Sequence, residues 1–390
     1  MQTNVLGDLA PQLAWLRNSG IQLASGPDAG GVRSWLDETP GAAPPKHGFI
    51  YSEITGYFMT LCRQLALAGD PEWIARGEHA AAWIVDRALH PSGAVLSRKY
   101  ADLESGKADP YSFENGRIAF FDCAMVGFGL LQIHALTGAG KWLDAAVRIG
   151  GFLEREFGTA LADGHSTFDL NTGARTPPAD RWSAHFAPFE LKGAMFLDAL
   201  ADTTGSSAPR AFANRILEQA LAAQLASGRF PTNQSGSATH LHPHTYTIEG
   251  LIYLAARRDQ PELARAAARG VDWSFQTCLD RPDQMQQWSE DGAATIEELR
   301  SDTLAQSLRA YALLKAMLPE SRWGWEDHIP ARYDQLATFA LPSGGTSYGQ
   351  DEYGAKSHHA NAWCHMFAVE ALLFRSLPTR RQVWSELILT

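Results

Sequence analysis

With 390 residues, 45% of them hydrophobic, the chain is long enough to bury a substantial core and reads as globular, not disordered. Its 43 acidic against 33 basic side chains give a formal charge of −10, with no cluster of Lys and Arg suited to nucleic acid or an anionic membrane. Met1–Leu16 has no basic stretch followed by an apolar run, so neither a secretory signal nor membrane insertion is expected and the cytoplasm is the expected location.

Helical patterns dominate from the start. Leu9–Ser19 is followed by a Gly/Pro-rich loop over Gly26–Gly48. Glu53–Ala68 and Pro71–Ala88 form a first pair, with Asp70-Pro71 supplying a cap and a proline at the first helical position. After a long loop, His90–Phe121, a second pair is Asp122–Gly138 and Lys141–Phe157. Three more follow: His185–Thr203 with Pro209–Ala226, Thr245–Arg257 with Pro261–Cys278, and Ser301–Met317 with Trp325–Ala340. The last helix, Asn361–Leu377, lacks a following partner, just as Leu9–Ser19 lacks a preceding one. Strand signals are short: Val95–Leu96, Ser166–Leu170 and Arg229–Thr232. The four cysteines, Cys62, Cys123, Cys278 and Cys364, lie in or at the end of apolar helix patterns with no metal-ligand spacing, and read as buried thiols.

The polar openings of the more apolar helices, at Glu53, Asp122, His185, Thr245, Asp302 and Asn361, are 69, 63, 60, 57 and 59 residues apart. A period near sixty means repeated helical hairpins. Six helices apolar almost all round must be surrounded, and six amphipathic ones can surround them. An open solenoid would show the same repeat, but it needs polar capping repeats at its ends, whereas here the unpaired termini complement each other. The expected fold is therefore all-α, an (α/α)6 toroid formed by residues 1–390 as one domain, with small β-hairpins among loops gathered on one face.

This pattern resembles the six-hairpin superfamily of carbohydrate-active enzymes. Tyr51-Ser-Glu-Ile-Thr-Gly-Tyr57, Phe121-Asp122, His244-Thr-Tyr-Thr-Ile-Glu-Gly250, Asp302-Thr-Leu-Ala-Gln306 and Asn361-Ala-Trp363 are similar to VpsJ-like toroid proteins found with exopolysaccharide biosynthesis genes. The resemblance covers nearly the whole chain and implies an oligo- or polysaccharide substrate, uronate-containing ones included. It does not choose among hydrolysis, elimination and epimerisation, because the same toroid hosts all three.

Glycoside hydrolysis needs one carboxyl to donate a proton and a second to activate water or attack the sugar. Glu53, Asp122, Glu249 and Asp302 each stand within about one turn of an inner-helix start, which aims them at a common axial cleft. Asp122 and Asp302, opening the second and fifth inner helices, are expected to flank one glycosidic bond, although both also stand where helix N-caps stand. Glu249 falls inside an apolar helix, where an ionised group is costly unless it faces a polar cavity.

His240, His242 and His244 alternate before the fourth inner helix, and an extended segment would put all three on one face. Of these, His244, with His359 before the sixth inner helix, is the candidate for proton transfer in an epimerase or lyase. Pro243 argues against a helical metal-ligand pair at His240 and His244, so no metal is expected.

Tyr51, Tyr57, Trp182, Tyr246, Trp288, Tyr348 and Trp363 are candidate platforms for the apolar faces of sugars, with Gln306 and Asn361 as polar contacts. Arg33, Arg98, Lys99, Arg117, Arg181 and Arg300 could pair with a uronate or balance the acidic loops. No phosphate-binding GxxxxGK[ST], dinucleotide GxGxxG, GxSxG elbow or HExxH is present, and no cofactor is implied. A glycoside hydrolase is the first reading; an epimerase or lyase, and a glycan-binding protein without turnover, stand beside it.

Overall fold

A computed structural model describes residues 5–41, 47–159, 163–179, 182–233, 238–277, 287–289, 294–296, 299–350 and 355–376. Twelve of its helices build the expected toroid. The inner ones are α2 (Ser52–Leu67), α4 (Phe120–Thr137), α6 (Leu191–Thr204), α8 (Leu241–Arg258), α10 (Ser301–Met317) and α12 (Ala362–Ser376). The outer ones are α1 (Ala10–Asn18), α3 (Glu72–Trp83), α5 (Gly140–Phe157), α7 (Ser207–Ala222), α9 (Pro261–Thr277) and α11 (Ile329–Thr338). Each inner helix packs on the next, and α12 returns to α2, which closes the ring. The seam is fixed by chain ends far apart in sequence. Trp35–Asp37 pairs antiparallel with His359–Asn361, and His365 sits against Trp15 and hydrogen-bonds the Gln12 carbonyl at 3.0 Å.

Inner helices are apolar all round because neighbours press on every side. All residues from Leu241 to Ala255 of α8 are buried, and α4, apolar enough to span a membrane by composition, uses that surface inside the ring, where 72% of it is buried. Outer helices such as α5 and α9 bury one face only. Where α2 and α4 cross, a Cβ on Gly56 would lie 2.7 Å from the Met125 carbonyl and one on Gly129 would lie 2.5 Å from the Gly56 carbonyl. Backbone cannot yield there as a side-chain tip would. Gly129→Ala is expected to cost about 1–3 kcal/mol by overpacking, read as a lower urea midpoint.

Several boundaries differ from the sequence reading, for local reasons. The third inner helix begins at Leu191, not His185, because a 3-10 turn, Pro188–Glu190, precedes it. The fourth begins at Leu241, not Thr245; Pro243 fits its first turn, where an amide would lack a partner anyway. Trp325–Ala340 resolves into a 3-10 turn, Glu326–His328, and α11. Pro71–Ala88 ends in a π-helical turn, Ile84–Ala88. The loop His90–Phe121 holds a short helix, Leu103–Ala108, capped by Asp102. Ser166–Leu170 does contain a strand, Thr167–Asp169, paired with Arg117–Ala119 and Ala174–Arg175. Arg229–Thr232 is not a strand: Arg229 is buried and donates to Thr239 at 2.9 Å. Cys62, Cys123 and Cys364 are buried and unpaired, as expected; Cys278 lies outside the described residues.

Candidate functional site

Three successive inner helices each present a carboxyl at their first turn. Glu53 is the second residue of α2, Asp122 the third of α4, and Glu190 occupies the N-cap position of α6 without making a capping bond. All three line one pocket of about 270 Å³ on the loop face, walled by Tyr51, Tyr111, Phe121, Tyr246, Tyr348 and Trp363. That volume is near the lower end of the roughly 300–1,000 Å³ usual for small-molecule sites.

The carboxyls are buried and crowd one another. Burial and the neighbouring Asp122 charge push Glu53 up to about 7, against the pull of the Tyr51 and Tyr57 hydroxyls and of Lys192. Asp122 is also raised by burial, but Arg98 and the Tyr51 hydroxyl, 3.3 Å away, favour its ionised form. Glu190 is raised furthest above its ordinary range, by burial and then by Asp122 and Glu53, with no cation to offset them. A helix N-terminus favours a carboxylate by only about 0.3–1 kcal/mol, less than the loss of water costs. Asp122 Oδ2 and Glu190 Oε2 are buried without a hydrogen-bond partner. Neither Asp122 nor Asp302 is an N-cap; Ala119 and Arg300 hold those positions.

Across the pocket stand His240, His242 and Arg300. His242 Nδ1 faces Asp302 Oδ2 at 3.1 Å and Gln306 Oε1 at 2.8 Å, two acceptors that fix Nδ1 as the protonated nitrogen and direct basicity to Nε2. Burial alone would raise Asp302, but Arg300 and then His242 outweigh it and hold the carboxyl well below the usual range. Arg300 donates its Nε to Asp302 at 3.0 Å and lies over the Tyr348 ring, and Trp363 Nε1 donates to Asp302 at 3.3 Å. Asp302 is thus a clamped anion behind His242 and is not among the residues that line the pocket with Asp122.

Other sequence candidates lie elsewhere. Glu249 is fully buried on the toroid axis, where it pairs with Lys192 at 2.8 Å and accepts from Arg309 Nε at 2.8 Å. His244 points into the outer shell: its Nδ1 accepts from the Phe230 amide and its Nε2 meets the Gly270 carbonyl, both at 3.2 Å, and burial lowers it to about 4. The expected common face fails because His242 and His244 sit in the first turn of α8, where residues two apart point in different directions. His359 packs between Trp35 and Tyr348 outside the pocket, lowered by burial to about 4. Asn361 accepts from the Cys364 amide at 3.2 Å, a capping role, and Gln306 supports His242. Tyr57 is buried beneath the pocket, its hydroxyl donating to Tyr246 at 3.0 Å. The side chains of Trp182 and Trp288 lie outside the described residues, as do Glu290, Asp291, Glu297 and Glu298 of the acidic loop. The structure therefore brings together Tyr51, Glu53, Arg98, Asp122, Tyr246, Arg300, Tyr348 and Trp363 from the sequence candidates with His240 and His242 of the alternating histidines, and adds Glu190.

No protein-family model matches the chain, and no curated protein matches it in sequence. Solved structures share its fold. A D-mannose isomerase superposes with a TM-score of 0.73 at 12% identity over 97% of this chain and 98% of its own. A cellobiose 2-epimerase from Spirochaeta thermophila DSM 6192 gives 0.71 at 12% identity, over 95% and 97%. An unsaturated glucuronyl hydrolase from Bacillus sp. GL1, described as responsible for glycosaminoglycan degradation, gives 0.64 at 12% identity, over 96% of each chain. Likeness at this identity is likeness of the (α/α)6 toroid, which the described residues adopt.

Proposed function

We propose that the chain is a carbohydrate-active enzyme that hydrolyses a glycosidic bond in a small saccharide. The observation that carries this reading is the Glu53, Asp122 and Glu190 cluster, whose members differ in how strongly burial holds their protons, inside an aromatic-walled pocket. Carboxyls pushed apart in this way divide into an acid and a base. Glu190 keeps its proton and donates it to the glycosidic oxygen as the bond to the anomeric carbon breaks. Asp122, helped by Arg98 and Tyr51, is the carboxylate that takes a proton from the attacking water or attacks the carbon itself. Glu53 buffers the pair. The toroid neighbours named for sugar isomerisation, epimerisation and glucuronyl hydrolysis agree with a sugar substrate.

The test is a reducing-sugar assay of purified protein on a panel of disaccharides across pH. The reaction needs Glu190 protonated, so turnover should fall as pH rises into the range to which burial, Asp122 and Glu53 raise that carboxyl. A rate that rises through this window would refute the assignment of a carboxyl acid.

The His242–Asp302 pair favours a second reading, removal of a proton from a sugar carbon by His242 in an epimerase or isomerase. Deuterium from heavy water incorporated into recovered sugar, without release of a new reducing end, would select it over hydrolysis.

A further inference from the structure

Two arginines line the pocket, and each is already matched by an aspartate behind it. Arg300 donates to Asp302 at 3.0 Å, and Arg98 pairs with Asp109 at 3.0 Å while lying over the Phe49, Tyr51 and Tyr111 rings at 5.1–5.2 Å. Lys192, the cation beneath the pocket, is ion-paired to Glu249 at 2.8 Å. Arg98 acts on Asp122 and Lys192 on Glu53 only while each is held by its own anion, no cation acts on Glu190, and Asp122 Oδ2 and Glu190 Oε2 are buried and unpartnered.

Resting on the saccharide reading above, we infer that the pocket selects a sugar bearing a free ammonium group over its N-acetylated, neutral and uronate counterparts. An ammonium donates three hydrogen bonds and has no acceptor, which suits carboxylate oxygens that lack donors. It is also attracted to the faces of the surrounding tyrosines and Trp363. A uronate would instead set its carboxylate against Asp122 and against two carboxyls whose crowding already disfavours further negative charge, and would have to draw Arg98 or Arg300 from its aspartate. An N-acetyl group removes the charge and adds bulk in a pocket of about 270 Å³.

The protein is titrated at pH 7 with glucosamine, N-acetylglucosamine, glucose and glucuronate, by calorimetry or by tryptophan fluorescence. Glucosamine should bind at least about tenfold more tightly than the other three. That preference should fall to near parity in Glu53→Gln/Asp122→Asn, and in Glu190→Gln should the double variant not fold. Equal affinity for all four sugars, preference for glucuronate, or absence of binding by all four would overturn the inference. Glucosamine binding without cleavage of any disaccharide would sustain it and remove the hydrolase reading. Cleavage of neutral disaccharides with no preference for glucosamine would do the reverse.

Discussion

Glu190→Gln should lower turnover of a cleavable disaccharide by roughly 10²–10⁴-fold, the usual worth of general acid catalysis, and should leave the protein at least as stable as before. The two halves of this result have one cause. Burial beside Asp122 and Glu53 raises Glu190 well above the ordinary carboxylate range, so the folded protein holds a proton that the unfolded chain gives up at lower pH. Linkage fixes the sign: a carboxyl raised in the fold costs stability progressively as pH climbs above its unfolded value, until the folded group also ionises. For Glu53, raised to about 7, that window runs from about 4.5 to about 7, and removing the charge there should recover on the order of 1–3 kcal/mol. Glutamine keeps the shape and hydrogen-bonding capacity but cannot donate the proton. A structural carboxyl behaves oppositely, losing stability on neutralisation and sparing turnover in what stays folded. Asp122→Asn should match Glu190→Gln in rate, since Asn can still accept from Tyr51. Wild-type turnover in both variants, measured beside urea unfolding at pH 8, would end the carboxyl mechanism.

The toroid was legible because its signal is repeated. A period of about sixty residues with apolar inner and amphipathic outer helices needs no single residue to be read correctly, and a misplaced boundary shifts an element by one turn without changing the architecture. The closure could be inferred from unpaired termini: Trp15 and His365 of those terminal helices touch, and Trp35–Asp37, in the loop after the first of them, pairs with His359–Asn361.

The site was legible only in part, because a site depends on boundaries that the fold tolerates being wrong. Starting the third inner helix at His185 puts Glu190 in its second turn, past the opening residues that point a carboxyl at the cleft. Pro188 at the head of the Pro188–Glu190 turn, just before Leu191-Lys-Gly-Ala-Met-Phe-Leu197, was the available signal. It would have put Glu190 in the same first-turn position as Glu53 and Asp122. Extending the fourth inner helix to Leu241 would likewise have separated His242 from His244 by helical geometry. Asp302 could be found from sequence, but not its clamp: Arg300 is two residues away, while His242 and Trp363 come from hairpins 60 and 61 residues distant in the chain.

Glu249→Gln should destabilise the protein by about 3–5 kcal/mol, the cost of removing one member of a buried ion pair, without being the step that chemistry depends on. At the axis, Lys192 of α6, Glu249 of α8, Arg309 of α10 and Glu370 of α12 form a fully buried network of two cations and two anions. Gln64 of α2 joins it by donating to Glu370 at 2.5 Å, so five of the six inner helices meet there. Lys192 is depressed by burial to about 8, the pairing with Glu249 opposing a still larger fall, and its ammonium lies 4.3 Å from the Tyr246 ring centre. Neutralising Glu249 leaves Lys192 and Arg309 with a single anion between them in a site without water contact. Neutralising one charge of each sign restores the balance, so Lys192→Met/Glu249→Gln should regain much of what Glu249→Gln loses, because well-packed neutral replacements of a buried pair are often no less stable. Urea midpoints of the wild type, the single and the double variant measure this directly. If Glu249→Gln unfolds at the wild-type midpoint yet loses turnover, Glu249 reaches the substrate and the axial network is not its role.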